Sequence, residues 1–221
     1  MRVNSALRHP SARRLRAEFA TLYIAAPIVM AVALPAAWMF PALVTITLLG
    51  MSLLTGTPGF CWRDLARATP WRYWRIMAAF TAVTLLVAGA VMLATAPDRL
   101  FALARQCPLF LLLIVLLYPV LSALPQELVF RVLFFRRYGA LLPAQTPAIL
   151  LNAALFSLAH LMYWSWIVTA MTFCGGLFFA WAYAVRRNFA LALLLHCIAG
   201  WIIFTIGLGI HFYSGNVTRP F

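Results

Sequence analysis

Apolar runs alternate along this chain with short polar stretches, and the runs are of two lengths. Those of about twenty residues are long enough to cross a bilayer as helices. After a polar, arginine-bearing start, an apolar run extends from Phe19 to about Phe40, and a second from Pro41 to about Leu54. Pro35 and Pro41 mark the break between them, with Pro35 readable as a kink instead. Further runs cover about 76–95, 108–124, 145–163, 165–185 and 189–212. Residues 125–138 read as a separate, half-embedded helix, with Pro125 in the first turn and Gly139 as its C-cap. The pattern predicts an all-α, polytopic transmembrane bundle of seven to eight helices. A basic tail (1–18) would precede a single membrane domain (19–221), whose chemistry-bearing core covers about 108–215.

Composition agrees. The chain has 221 residues, 65% hydrophobic and 10% charged, where a soluble domain carries roughly a quarter charged residues. Its mean hydropathy is +0.95. The formal net charge is +13, and all 17 basic residues are arginine. Such a charge can signal nucleic-acid binding, but here the arginines cluster between apolar runs. That placement suits topology control and anionic headgroups, so no nucleic acid is expected as a partner. Stretch 57–75, TPGFCWRDLARATPWRYWR, interleaves tryptophan and arginine as an interfacial segment does. Cys61, Cys107, Cys174 and Cys197 have no metal or redox spacing.

The arginines also orient the chain. Those of the tail, of 57–75, of Arg131, Arg136 and Arg137, and of Arg186 and Arg187 fall on one side of the predicted map. Only Arg99, Arg105 and Arg219 fall on the other. The positive-inside rule then gives a cytoplasmic N-terminus and an external C-terminus.

Against that map most ionisable groups sit at boundaries: Glu18 and Asp64 among interfacial arginines, Asp98 in a loop, His9 in the tail, His211 near the last boundary. Glu127, His160 and His196 do not. An ionisable side chain at a helix centre costs roughly 2.5–3.5 kcal/mol on insertion scales, so it marks a candidate functional site. Singly, such a histidine is often a helix-packing residue, and a glutamate four before an arginine is often an i,i+4 ion pair. One carboxylate and two imidazoles on separate helices form a more pointed combination.

Spacing adds detail. Arg131 shares a helical face with Glu127 and can hold the carboxylate. Asn152, Phe156 and His160 lie at i, i+4 and i+8, on one stripe. Gly175 and Gly176 permit close helix approach. Three chemistries suit such a set. Glu127 could be a general base on water, with the imidazoles orienting it or stabilising an oxyanion. A divalent metal such as zinc could be held by Glu127, His160 and His196, although the HExxH spacing is absent. A transporter could use them as a proton relay, but no internal repeat is visible.

QELVFR (126–131), FSLAH (156–160) and HCIAG (196–200) resemble the three motifs, EExxxR, FxxxH and HxxxN, of the CAAX prenyl-protease and bacteriocin-processing superfamily (CPBP, or Abi). The resemblance covers about 120–215. CGGLFFAWAY and FTIGLGIHFY resemble a subgroup with PQE at the first motif. It implies an intramembrane, glutamate-dependent endopeptidase, first regarded as a metalloprotease, in a bacterial inner membrane. Its partners would be lipid and a membrane-associated peptide substrate. Glu127, His160 and His196 would be catalytic, and Gln126, Arg131, Asn152 and Phe156 supporting. Two positions depart from the pattern. Gln126 replaces the first glutamate, and an amide cannot take up a proton at working pH. Gly200 replaces the asparagine. These departures leave a second reading open: an inactive relative serving as a membrane binding or immunity scaffold.

Overall fold

A computed structural model describes residues 10–66, 69–213, Gly215, Val217 and Arg219. His9, Arg2, Arg8 and Arg67, read above as tail or interfacial residues, lie outside them. The described residues form helices and turns, with no strand among them.

Among the described residues, seven helices are long and apolar enough to cross a membrane: α1 Ala12–Ala33, α2 Ala36–Thr55, α3 Pro70–Thr95, α4 Pro108–Arg137, α5 Gln145–Tyr163, α6 Trp166–Ala184 and α7 Phe189–Ile206. Helices are forced on such segments because hydrocarbon offers no partner to a free N–H or C=O. Side-chain caps mark several starts. Ser11 accepts from the Arg14 amide, Ser165 from Val168 and Asn188 from Leu191. Gly207, at φ +114°, ends α7 in the left-handed conformation.

Three expectations about boundaries change. The first break falls at Leu34–Pro35, both extended. Pro41 instead sits inside the first turns of α2, where a missing N–H costs little. The N-terminal helix begins at Ala12, so the last part of the basic tail is already helical. Residues 108–124 and 125–138 are one continuous helix, α4, so the count is seven.

Pro125 does not end α4 because the helix widens just before it. Residues Pro119–Ala123 form a π turn, closed by the Leu124 amide on the Pro119 carbonyl. The wider turn moves backbone away from the proline ring and absorbs its missing donor. The same device occurs in α1, where the π turn Thr21–Ala25 stands two residues before Pro27. The C-cap of α4 is Tyr138, at φ −102°, one residue before the expected Gly139.

α4 divides along its length. Its first half is lipid-facing, with Leu109, Phe110, Leu113, Leu116 and Leu117 exposed, whereas Glu127 through Phe134 are all buried. A second π turn, Leu128–Leu133, lies in that buried half. Around it packs an aromatic core of Tyr23, Phe130, Phe134, Tyr138, Phe156 and Phe179. α7 is the most enclosed helix, and α5 and α6 approach closely. A Cβ on Gly176 would stand 3.1 Å from the Ala153 Cα, so the predicted role of that glycine is visible.

Polar side chains lock the ends of the bundle. Arg137 grips both carboxylate oxygens of Glu18, at 2.7 and 3.1 Å, and donates to the Leu53 carbonyl at 3.2 Å, so it joins α1, α2 and α4. At the opposite end Arg219 donates to the carbonyls of Val32 and Leu34, and the Trp164 indole to Ala31 at 3.0 Å. Glu18, expected as a headgroup-level charge, is therefore a tertiary staple.

Candidate active site

The buried half of α4 faces α5 and α7, and the polar groups of the three helices meet there. Glu127 and Arg131 are both fully buried. One Glu127 oxygen, Oε1, accepts from His196 Nδ1 at 2.9 Å. The other, Oε2, is 3.3 Å from Arg131 Nε, an ion pair without hydrogen-bond alignment. Arg131 Nη1 donates to Asn152 Oδ1 at 2.5 Å. Its guanidinium lies over the Phe156 ring at 4.6 Å and near Phe179 at 5.6 Å. Burying this charge is tolerable because a carboxylate, an amide oxygen and two aromatic faces surround it.

The π turn explains why Asn152 is needed. Its widened path offers backbone carbonyls to other helices. Asn152 Nδ2 donates to the Phe130 carbonyl at 2.5 Å, and the Tyr23 hydroxyl to the Val129 carbonyl at 2.8 Å. Asn152 thus ties the guanidinium and the backbone of α4 to α5 at once.

The two imidazoles are oriented differently but present the same atom. His160 Nδ1 lies 2.8 Å from the Phe156 carbonyl one turn before it. A carbonyl only accepts, so Nδ1 carries the proton and Nε2 is a free lone pair. His196 Nδ1 faces the Glu127 carboxylate, which likewise leaves Nε2 as the free nitrogen. The His196 ring stacks on Phe179 at 4.8 Å and 11°, and the edges of Phe156 and Tyr118 close its sides.

Both histidines line a cavity of about 320 Å³, together with Tyr118, Ser122 and Gln126 of α4. Its outer wall is apolar, built from Val83 and Val87 of α3 and Phe178 of α6. These three are also exposed on the lipid side, so the cavity opens laterally between α3 and α6. Glu127 is not part of the wall; His196 stands between its carboxylate and the cavity. The expectation of a carboxylate in direct contact with bound water is therefore modified: Glu127 reaches the cavity through an imidazole.

A metal held by Glu127, His160 and His196 does not fit this arrangement. The two imidazoles keep Nε2 free, but both Glu127 oxygens are turned to His196 Nδ1 and Arg131, so the carboxylate does not converge with them as a third ligand. Among the described residues, no group of three His, Cys, Asp or Glu side chains converges as ligands. Asp64 and Asp98 stand apart from the site, and His211 is half-buried near the end of the last helix.

The cluster thus contains all seven residues singled out from the sequence: Gln126, Glu127, Arg131, Asn152, Phe156, His160 and His196. It also contains Tyr118, Ser122, Tyr23 and Phe179, which were not. Tyr118, Ser122 and Gln126 do carry a signal, being spaced i, i+4, i+8 on one face of α4.

Residues 108–202 match a protein-family model described as Rce1-like, type II CAAX prenyl endopeptidase. The match begins at the first residue of α4, ends inside α7, and takes in every residue that lines the site except those of α1 and α3 and Ile203, Phe204 and Phe212. No curated protein and no solved structure matches the chain.

Proposed function

Starting from residues 108–202 as a member of the Rce1-like family of type II CAAX prenyl endopeptidases, we propose that this integral membrane protein hydrolyses a peptide bond of a membrane-associated substrate. The observation that carries the reading is the 2.9 Å contact of Glu127 with His196, whose ring also borders the 320 Å³ cavity shared with His160.

In this mechanism a water molecule sits between the two free Nε2 atoms. His196 Nε2 takes a proton as the water oxygen attacks the carbonyl carbon. Glu127 stabilises the imidazolium that forms, as a buried carboxylate behind a histidine does. His160 Nε2 accepts the second water hydrogen bond and fixes the direction of attack. When the tetrahedral intermediate collapses, His196 returns its proton to the departing amine nitrogen. Arg131, held by Asn152 and Phe156, keeps the Glu127 carboxylate in register. The substrate reaches the cavity sideways from the bilayer, through the apolar opening between α3 and α6. The arginine asymmetry supports a cytoplasmic N-terminus and an external C-terminus.

The test is cleavage by the purified chain in liposomes of a prenylated CAAX peptide, its unprenylated counterpart and a single-span transmembrane peptide. Glu127→Ala, His160→Ala and His196→Ala are each expected to lower cleavage at least roughly a hundredfold. Wild-type rates in the three variants would overturn the assignment. Gln126 and Gly200 favour a second reading, a non-catalytic binding protein. It predicts that Glu127→Gln leaves the cellular phenotype intact.

A further inference from the structure

Gly200 stands one turn after His196, where the motif pattern carries an asparagine. The space that such a side chain would take is filled. A Cβ built on Gly200 would collide with the Tyr118 ring, and the Tyr118 hydroxyl lies 2.6 Å from that Cβ position. The ring packs edge-on against His196, with centroids 6.0 Å apart. Tyr118 also lines the cavity beside Ser122, Gln126, His160 and His196.

The hydrogen-bonding inventory of the cavity shows what is lacking. His160 and His196 have each committed Nδ1 elsewhere and present Nε2, an acceptor. Gln126 donates to Ser122 at 2.9 Å, and its Oε1 is a buried acceptor with no partner. The face made by the two Nε2 atoms and Gln126 Oε1 is one of acceptors, and it suits a water molecule, which brings two protons. It does not suit the anionic oxygen of a tetrahedral intermediate, which needs donors. The donors in the lining include the second amide proton of Gln126 and the phenols of Tyr118 and Tyr163; Tyr163 stacks on His160, and Tyr118 packs edge-on to His196, the residue that activates the water.

We propose that Tyr118 is a catalytic residue, the oxyanion donor that takes the place left open at Gly200. The proposal rests on the endopeptidase reading. When the water oxygen bonds to the carbonyl carbon, the C=O π pair moves onto the carbonyl oxygen, and the Tyr118 O–H hydrogen-bonds that oxygen. The water proton goes to His196. On collapse the pair re-forms the C=O bond, the C–N bond breaks, and the His196 proton passes to the amine. Tyr118 keeps its own proton throughout.

Tyr118→Phe removes the hydroxyl and keeps the ring. With the three peptides above, its kcat is expected to fall roughly a hundredfold, with KM within about twofold and thermal unfolding unmoved. If Tyr118→Phe unfolds, the exchange variant decides. Tyr118→Ala/Gly200→Asn is expected to cleave at least about tenfold faster than Tyr118→Ala, because the asparagine then has room to supply the donor. Wild-type kcat in Tyr118→Phe, or an exchange variant no faster than Tyr118→Ala, overturns the assignment. The endopeptidase reading survives that result if His196→Ala remains inactive. No cleavage of any peptide by the wild-type chain overturns both.

Discussion

Arg131 shows what the site demands of single side chains. A buried guanidinium with a partner removed is strongly destabilising, about 3–5 kcal/mol in general, so each of its contacts matters. Asn152→Ala would remove the short contacts of Arg131 Nη1 and of the Phe130 carbonyl together, leaving the two only the long 3.5 Å bond between them. Leaving buried polar groups unpaired costs about 1–3 kcal/mol. We expect a loss of that size for Asn152→Ala in reversible unfolding in mixed micelles, with Asn152→Asp recovering only the Arg131 contact. At this scale the sequence was informative wherever a residue was chemically out of place. Glu127, Arg131, Asn152, His160 and His196 are all polar groups within apolar runs, and each reaches the cluster. Tyr118 and Phe179 reach it too, but an aromatic side chain in a run of leucines and phenylalanines is no anomaly. Their roles depend on which ring faces which histidine, and only packing decides that.

Helices were legible as apolar runs, and so was the break at Pro35, but the widened turns inside them were not. Proline usually reads as a boundary, which is why Pro125 suggests the start of a new helix. The chain instead spreads one turn ahead of the proline and carries on, as it also does before Pro27. Residue pattern alone does not distinguish a break from a widened turn, because both satisfy the same steric conflict. The distinction has consequences for the site, since an added residue in a turn rotates everything beyond it. Pro125→Ala removes the reason for widening before residue 125. A turn that relaxes to ordinary α geometry would rotate Glu127 by as much as about 100° relative to α7. We therefore expect Pro125→Ala to retain or gain thermal stability while cleavage falls roughly tenfold or more, measured on the same peptide panel.

The bundle as a whole was the most legible level, because bilayer thickness and backbone hydrogen bonding leave few solutions to a chain with this pattern. Merging 108–124 with 125–138 changed the count without changing which end of each helix lies on which side. The tertiary contacts agree with that alternation. Arg137, Glu18 and the Leu53 carbonyl meet at one end of the bundle, and Arg219 and Trp164 meet the end of α1 at the other. Reporter fusions give the direct measurement. Green fluorescent protein at the N-terminus is expected to fluoresce, and alkaline phosphatase at the C-terminus to be active. The opposite pattern would invert the assigned orientation.

The sideways opening between α3 and α6 changes the meaning of dose for this molecule. Anything that reaches the histidines through Val83, Val87 and Phe178 has first dissolved in the bilayer. The quantity governing its encounter with the protein is then a surface density, moles per mole of phospholipid. Two compounds with equal contacts inside the cavity would differ in potency by the ratio of their partition coefficients. Diluting either with inert lipid, at fixed amounts in the tube, would slow the reaction as surely as removing some of it.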